Sequence, residues 1–212
     1  MFASKGLLIF GGVRAPSEAT ELNALAARYA GKITVLRYEA LEAESAERLK
    51  SAVGATPIDL LLANAGASTG PLESFGSVGV EAAVELFRIN SIAPLKLVEA
   101  FADNVARSER KLIALQSSQL GSISNNTSGG FYGYRMSKAA LNMVAKGLSS
   151  DLRPLGVTVV ALHPGWVKTR MGGPRAPLSV EKSVEDQQRL FEKLTIGQSG
   201  RFFNFDGTKL PW

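Results

Sequence analysis

Short apolar segments alternate with helical segments along this sequence, and the continuity of the apolar segments most restricts the possible folds. One of them, residues 58–63, ends with Leu60, Leu61, Leu62 and Ala63 in succession, without polar residues at alternate positions. A strand of this kind is buried on both faces, as in parallel sheets that carry helices on each side. The predicted fold class is therefore α/β, with a doubly wound parallel sheet.

The apolar patterning predicts the order of the elements. The six predicted strands are residues 7–12, 32–38, 58–63, 111–116, 157–162 and 202–205. The predicted helices are residues 16–30, 42–53, 78–107, the helix that contains residues 134–138, and 179–194. Residues 168–200 are expected to form a mobile cover over the edge of the sheet. The length fits one domain, 1–212.

The composition excludes several classes of function. The chain has no cysteine and one histidine, which excludes disulfides and thiolate chemistry and leaves too few ligands for a usual zinc site, so no metal is expected. The net charge is +5, but the basic residues are scattered, so nucleic-acid binding is not predicted. No apolar segment near the start is long enough for a signal peptide or a membrane span, and a cytoplasmic protein is expected.

Tyr134 and Lys138 form a candidate acid/base pair. Their segment is rich in Ala, Leu, Met and Lys and should be helical, so a spacing of four residues places both side chains on one helix face. A nearby ammonium favours phenolate and is expected to lower the pKa of Tyr134. Such a pair is common by chance, and its interpretation depends on the rest of the chain.

Small and polar residues follow the predicted strands at the sheet edge where α/β proteins bind ligands. Asn64-Ala65-Gly66 follow the third strand, and Ser117-Ser118 follow the fourth. Pro94 has no N–H to donate to the carbonyl of Asn90, which predicts an interruption of the long helix there. His163 follows the fifth predicted strand and is interpreted as a packed residue rather than a catalytic one.

Taken together, these motifs resemble those of the short-chain dehydrogenase/reductase family. The residues that carry the resemblance are Asn64-Ala65-Gly66, Asn90, Ser118 and Tyr134-x-x-x-Lys138 in this order. Residues 132–143, 162–169 and 202–212 are similar to the C-factor and sniffer-type carbonyl reductase branch. The resemblance extends over nearly the whole chain and implies a Rossmann-like fold.

The resemblance also implies roles for the four candidate catalytic residues. Tyr134 would be the general acid that protonates a carbonyl oxygen, and Ser118, rather than Ser117, would hold that oxygen. Lys138 would depress the tyrosine pKa and bind the nicotinamide ribose. The carbonyl of Asn90 would hold a water that relays protons to Lys138.

The implied cofactor is NADP(H), with NAD(H) as an alternative. Tyr134 and Lys138 would contact it, together with a further set of residues. Arg14 would receive the 2′-phosphate, Glu39 would contact adenine, Asn64, Ala65 and Gly66 would line the adenosine side, and Pro164, Gly165, Val167 and Thr169 would line the nicotinamide end.

The start of the sequence departs from the family pattern. The family's Thr-Gly-x-x-x-Gly-x-Gly loop, which cradles a pyrophosphate at a helix start, has no counterpart in this chain. The chain is therefore interpreted as N-terminally truncated relative to the family, by one βα unit. Residues 7–12 are expected to pair with residues 58–63 instead, and cofactor binding is expected to be weak or absent.

The first hypothesis is an oxidoreductase that reduces a carbonyl, or oxidises an alcohol, with NADP(H). Two alternatives stay open: a cofactor-independent relative of the halohydrin dehalogenase type, and a non-catalytic signalling or interaction protein. Lys138 argues against the first alternative, since those dehalogenases carry arginine at that position. The expected partner is a small carbonyl or alcohol compound, without nucleic acid or membrane; a homodimer is left open.

Overall fold

The computed structural model describes Ser4 and residues 6–68 and 73–212. They divide into two compact units, the first ending at Thr56 and the second comprising Pro57–Trp212. The single domain expected for 1–212 stays a prediction. None of the helices formed by the described residues combines the length and the apolar character needed to cross a membrane.

The first unit contains a two-stranded parallel sheet and two helices. β1 (Ile9–Val13) pairs with β2 (Ile33–Arg37), and α1 (Thr20–Arg28) connects them. The second helix, α2 (Ser45–Val53), follows β2. The sequence-based prediction of a helix starting at Pro16 is wrong by four residues, because a separate 3₁₀ turn precedes α1.

The expected pairing of the first strand with the third is also wrong for the described residues. Among the residues that the structure describes, β1 pairs with β2, and the third strand, β3 (Leu60–Ala63), pairs with the fourth. The pairing of β1 with β2 needs only the local crossover through α1, as in a βαβ unit. β1 and β3 are therefore each an edge strand of their own sheet.

The second unit is built on a five-stranded sheet with β3 at one edge. The order is β3-β4-β5-β6-β7, and all neighbours are parallel except the last pair. The other strands are β4 (Leu112–Gln116), β5 (Thr158–His163), β6 (Arg201–Asn204) and β7 (Lys209–Leu210). The described residues thus form seven strands rather than the six predicted. The additional strand, β7, has only two residues, too few for a periodicity signal.

Helices of the second unit follow the predicted positions. They are α3 (Val80–Phe87), α4 (Ala93–Ala106), α5 (Tyr132–Asp151) and α6 (Val180–Lys193). The predicted interruption before Pro94 is present as a π-helical turn, Arg88–Ile92. Because Pro94 cannot donate to the carbonyl four residues earlier, the bonds shift to five-residue spacing, and the Ala93 N–H donates to the Arg88 carbonyl.

The core of the second unit lies on the two central strands. The side chains of β4 and β5 are almost entirely buried, including Ile113, Ala114, Leu115, Val159, Val160 and Ala161. These strands are apolar without alternation because both of their faces are covered. Because β4 and β5 are buried and closely packed, their carboxyl ends and the residues that follow them are held in place.

Candidate active site

Gly121 allows the loop after β4 to approach α5 closely. The strand ends at Gln116, and a 3₁₀ turn, Gln119–Gly121, follows Ser118. A Cβ on Gly121 would lie 2.8 Å from the carbonyl carbon and the Cβ of Lys138, so only glycine permits this approach. The glycine three residues after Ser118 therefore brings the serine loop against the helix that carries Tyr134.

Tyr134 and Ser118 are joined by a hydrogen bond between their side chains. The pKa of Tyr134 is raised above its ordinary value of 10.0, because burial penalises the phenolate more than the Ser118 hydrogen bond favours it. The lowering of this pKa by Lys138, predicted from the helical spacing, is therefore wrong for this structure. At neutral pH the phenol retains its proton.

Ser118 and Ser117 have different hydrogen-bond partners. The hydroxyl of Ser117 donates to Asn142 Oδ1 at 2.6 Å inside the protein. The hydroxyl of Ser118 accepts from the Leu120 N–H at 3.2 Å and also meets Tyr134. Ser117 thus has a structural role, and Ser118 is the serine that faces the tyrosine, in agreement with the preference drawn from the sequence.

Lys138 is buried, and its ammonium is held at the end of β4. Nζ donates to the main-chain oxygen of Gln116 at 2.8 Å, and lies 5.9 Å from the ring centroid of Tyr134. Burial lowers the pKa of Lys138 from 10.5 to about 8. The lysine is thus near Tyr134, as the spacing predicted, but its ammonium bonds the strand end.

Asn90 lies in the π-helical turn and is fully buried. Its Oδ1 accepts from the Ala67 N–H at 2.8 Å, and its Nδ2 donates to the Ala67 carbonyl and to Ser137 Oγ, both at 2.9 Å. The amide therefore links the segment after β3 to α5. The water-relay role of the Asn90 carbonyl stays a prediction.

Asn64, Ala65 and Gly66 are exposed and follow β3 directly. A Cβ on Gly66 would lie 3.2 Å from Asn90 Oδ1 and 3.4 Å from Lys138 Nζ. The end of β3 is thus next to the lysine. Their predicted contact with the adenosine side of a cofactor is untested.

Pro164, Gly165, Val167 and Thr169 follow β5 in a compact turn. The carbonyl of Pro164 accepts from Ser183 Oγ of α6 at 2.6 Å, Val167 forms a β-bridge with Leu178, and Thr169 Oγ1 accepts from the Gly172 N–H at 3.0 Å. Gly165 has φ +86°, and a Cβ there would lie 2.6 Å from Leu178. The structure therefore groups these four residues, and their nicotinamide role stays a prediction.

Arg14 and Glu39 belong to the first unit. Arg14 is exposed and follows β1 directly. Glu39 follows β2, and its Oε1 accepts from the Leu41 N–H at 3.2 Å. The 2′-phosphate and adenine roles of these two residues stay predictions.

Sequence reasoning missed two contributors to the site, Gln116 and Ser137. The Gln116 carbonyl receives Lys138, and Ser137 bonds both Asn90 and the Tyr134 carbonyl. The role of Gln116 could not be predicted from the sequence, because it depends on the main-chain carbonyl, which every residue has. Ser137 lies inside the Tyr134-x-x-x-Lys138 motif, and its position one helical turn after Tyr134 was an available signal.

His163 is buried at the end of β5, as the interpretation of a packed residue requires. Burial lowers its pKa from 6.5 to about 4, so the imidazole is neutral at pH 7. Within the described residues its Nδ1 has no hydrogen-bond partner. Among all the residues that the structure describes, no group of three or more His, Asp or Glu side chains is arranged to hold a metal ion.

Comparison with known proteins identifies the family. A family model described as short chain dehydrogenase matches residues 1–177. The C-signal of Myxococcus xanthus is 44% identical over 156 residues, which cover 74% of this chain and 93% of that protein.

Solved structures agree with this assignment. Carbonyl reductase Sniffer of D. melanogaster has a TM-score of 0.91 and 34% identity, over 97% of this chain and 88% of that one. An NADPH-bound carbonyl reductase from chicken fatty liver has a TM-score of 0.90 and 30% identity, with the same coverage. They confirm the predicted Rossmann-like fold. The chain belongs to the short-chain dehydrogenase family and is an oxidoreductase of that family, in which NADP(H) binding is a shared trait.

Proposed function

We propose that this protein reduces a small carbonyl compound to an alcohol, or catalyses the reverse oxidation, with NADP(H). The hydrogen bond between Tyr134 and Ser118 supports the proposal, because a phenol and a second hydroxyl this close together can both contact one carbonyl oxygen. Similarity to carbonyl reductases of solved structure supports the reaction class. The cytoplasmic location stays a prediction.

The proposed reduction adds a proton and a hydride across the carbonyl. The pKa of Tyr134 lies above its ordinary value of 10.0, so the phenol is protonated at neutral pH and donates its proton to the carbonyl oxygen. The Ser118 hydroxyl donates a hydrogen bond to the same oxygen and orients it. NADPH, when bound, supplies the hydride to the carbonyl carbon.

The ribose end of NADP(H) fits the groups around Lys138. Its ammonium has three N–H donors, and the Gln116 carbonyl accepts one of them, which leaves donors for ribose hydroxyls. With a pKa of about 8 the side chain is mainly cationic at pH 7 and favours an oxygen-rich ligand. We therefore assign Lys138 to cofactor binding.

The pyrophosphate of NADP(H) has fewer binding groups in this chain than its ribose end. Gly11 and Gly12 lie inside β1 and not in a loop at a helix start. A Cβ would lie 2.9 Å from Leu22 at Gly11, and 3.1 Å from Tyr38 at Gly12, so packing explains both glycines. Without a phosphate-binding loop, two or three charge-assisted hydrogen bonds of about 1.5 to 3 kcal/mol each are lost.

Calorimetric titration with NADPH and NADH tests the cofactor proposal. We expect NADPH to bind with a Kd of roughly 100 µM or weaker, and NADH more weakly still, since Arg14 is available for a 2′-phosphate. Arg14→Ala should reduce this preference, whereas Arg28→Ala, on the exposed end of α1, should not. A low-micromolar Kd for either nucleotide would refute the expectation of weak binding. If neither nucleotide binds, the result would favour the alternative that the protein is a cofactor-independent relative of the family.

We also infer that the protein forms a homodimer, whose interface is the exposed apolar surface shared by α3 and α5. Val80 and Val84 of α3 and Met136 and Met143 of α5 are all exposed, although these helices pack together. A second copy would bury this apolar surface. Light scattering should give a dimer for the natural chain and a monomer for Met143→Lys, with Ile196→Lys as control. A monomeric natural chain would contradict the inference.

A further inference from the structure

The first turn of α5 is held by Glu73, a residue 60 positions away in sequence. The main-chain oxygen of Glu73 accepts from the Phe131 N–H at 2.9 Å, and its Oε2 accepts from the Gly133 N–H at 2.6 Å. The side chain is buried, with 8% of Glu73 exposed. One residue thus satisfies two main-chain donors where the helix begins.

α5 has no side-chain cap of its own. Its N-cap residue is Phe131, whose side chain makes no capping hydrogen bond and whose φ of 51° is in the left-handed region. A bulky residue is strained in this region and needs surrounding contacts to remain there. The Glu73 carbonyl provides such a contact to Phe131 itself.

The negative charge of Glu73 suits this position. The first N–H groups of a helix have no partner within the helix, and together they favour an anion. In the described part of the chain no salt bridge involves Glu73. The carboxylate therefore complements the start of α5 rather than a basic side chain.

Gly133 makes the close approach of Glu73 possible. A Cβ at this position would lie 3.2 Å from both carboxylate oxygens and 3.3 Å from the Cα of Ala83. Few side-chain atoms pack closer than this, so a Cβ at residue 133 would require the carboxylate or Ala83 to shift by a few tenths of an ångström. The glycine next to Tyr134 is thus explained by a contact with Glu73.

We propose that Glu73 is a positioning residue, which fixes the first turn of α5 and thereby the placement of the Tyr134 phenol against Ser118. Tyr134 follows Gly133 directly, so a shift of the Gly133 main chain moves the phenol with it. The inference rests on the proposed role of Tyr134 as proton donor. In this proposal Glu73 does not contact the substrate.

Steady-state kinetics of Glu73→Ala and Glu73→Gln test the proposal. Glutamine retains an oxygen that can accept from the Gly133 N–H, whereas alanine does not. We expect kcat to fall about tenfold or more in Glu73→Ala, with KM for NADPH changed less than about twofold, and to recover largely in Glu73→Gln. Glu81→Gln, an exposed glutamate in the first turn of α3, is the control. A kcat within twofold of the natural enzyme in folded Glu73→Ala overturns the proposal.

A second measurement does not depend on turnover. The protein is labelled with [¹³Cζ]tyrosine, and the Tyr134 signal is assigned by its absence in Tyr134→Phe. We expect this signal to shift or broaden in Glu73→Ala and to stay unchanged in Glu81→Gln. An unchanged Tyr134 signal overturns the positioning role. If the natural protein shows no turnover, the proposed function is refuted, but the positioning role of Glu73 is still tested, because the Tyr134 signal is measured without turnover.

If Glu73→Ala does not fold, Gly133→Ala provides the test, because its Cβ crowds the carboxylate and forces it to shift without removing it. The same fall in kcat and the same change in the Tyr134 signal are expected. A folded Gly133→Ala protein with natural kcat and an unchanged Tyr134 signal overturns the proposal.

Discussion

The ammonium of Lys138 donates a 2.8 Å hydrogen bond to the main-chain oxygen of Gln116, the last residue of β4. Lys138 is only 4% exposed, and this burial lowers its pKa from 10.5 to about 8. Because this pKa lies within the pH range of an activity assay, the ionisation of Lys138 can be followed in a pH–rate profile.

The first prediction is a fall in kcat/KM for NADPH as the pH rises through about 8. The lowered pKa means that Lys138 is cationic below this value and neutral above it, and the proposed ribose contact needs the donors of the ammonium. The measurement is a pH–rate profile from pH 6 to 10. Lys146→Met, on the exposed face of α5, should retain the decline. A flat profile up to pH 9.5 would contradict the role of Lys138.

The second prediction is that Tyr134→Phe loses most of the activity. This change removes the proton donor and its hydrogen bond to Ser118, and general acids usually contribute about 10²- to 10⁴-fold. The melting temperature should change little, because the ring is retained. Tyr132→Phe, on the same helix, is the matched control and should remain active. Turnover at the natural rate in Tyr134→Phe would exclude the assignment.

The third prediction concerns stability and the only histidine, His163. The folded-state pKa of about 4 lies below the ordinary value of 6.5, so the unfolded chain binds a proton that the folded chain does not bind in this range. The contribution of His163 to the free energy of unfolding is therefore fully present above pH 6.5 and is lost as the pH decreases to 4, by about 3 kcal/mol in total.

Urea unfolding of the natural protein and of His163→Gln between pH 4 and 7 measures this contribution. The variant should lack most of the decline between pH 6.5 and 4, whatever its stability at pH 7. Identical pH dependence in the two proteins would show that His163 is not responsible.

The fourth prediction concerns Pro94 and the π-helical turn. Pro94→Ala restores an N–H that can bond the Asn90 carbonyl, so the turn can relax to α-helix and rotate the Asn90 side chain away from Ala67 and Ser137. Activity should fall although helix propensity rises. The measurement is kcat together with the melting temperature, and Pro154→Ala is the control. An unchanged or faster rate would mean that Pro94 serves only packing.

Local patterns were sufficient to predict much of the fold and of the candidate site. Apolar continuity located β3, β4 and β5, and the spacing of Tyr134 and Lys138 placed both on α5. These features depend on residues close together in sequence, whose side chains determine periodicity, helix propensity and helix interruption without reference to the rest of the chain. The family resemblance was confirmed because its motifs are local too.

The tertiary structure alone decided the remaining features. Pairing of β1 with β2, and not with β3, depends on which strands meet in space. The pKa of Tyr134 is raised rather than lowered because burial is a property of the packed protein, and the neighbouring ammonium turns to the Gln116 carbonyl. The sequence by itself therefore determined most of the elements and the candidate site residues that they carry. Their protonation and mutual placement followed from desolvation and from contacts between distant segments, such as Glu73 with Gly133, which no local pattern encodes.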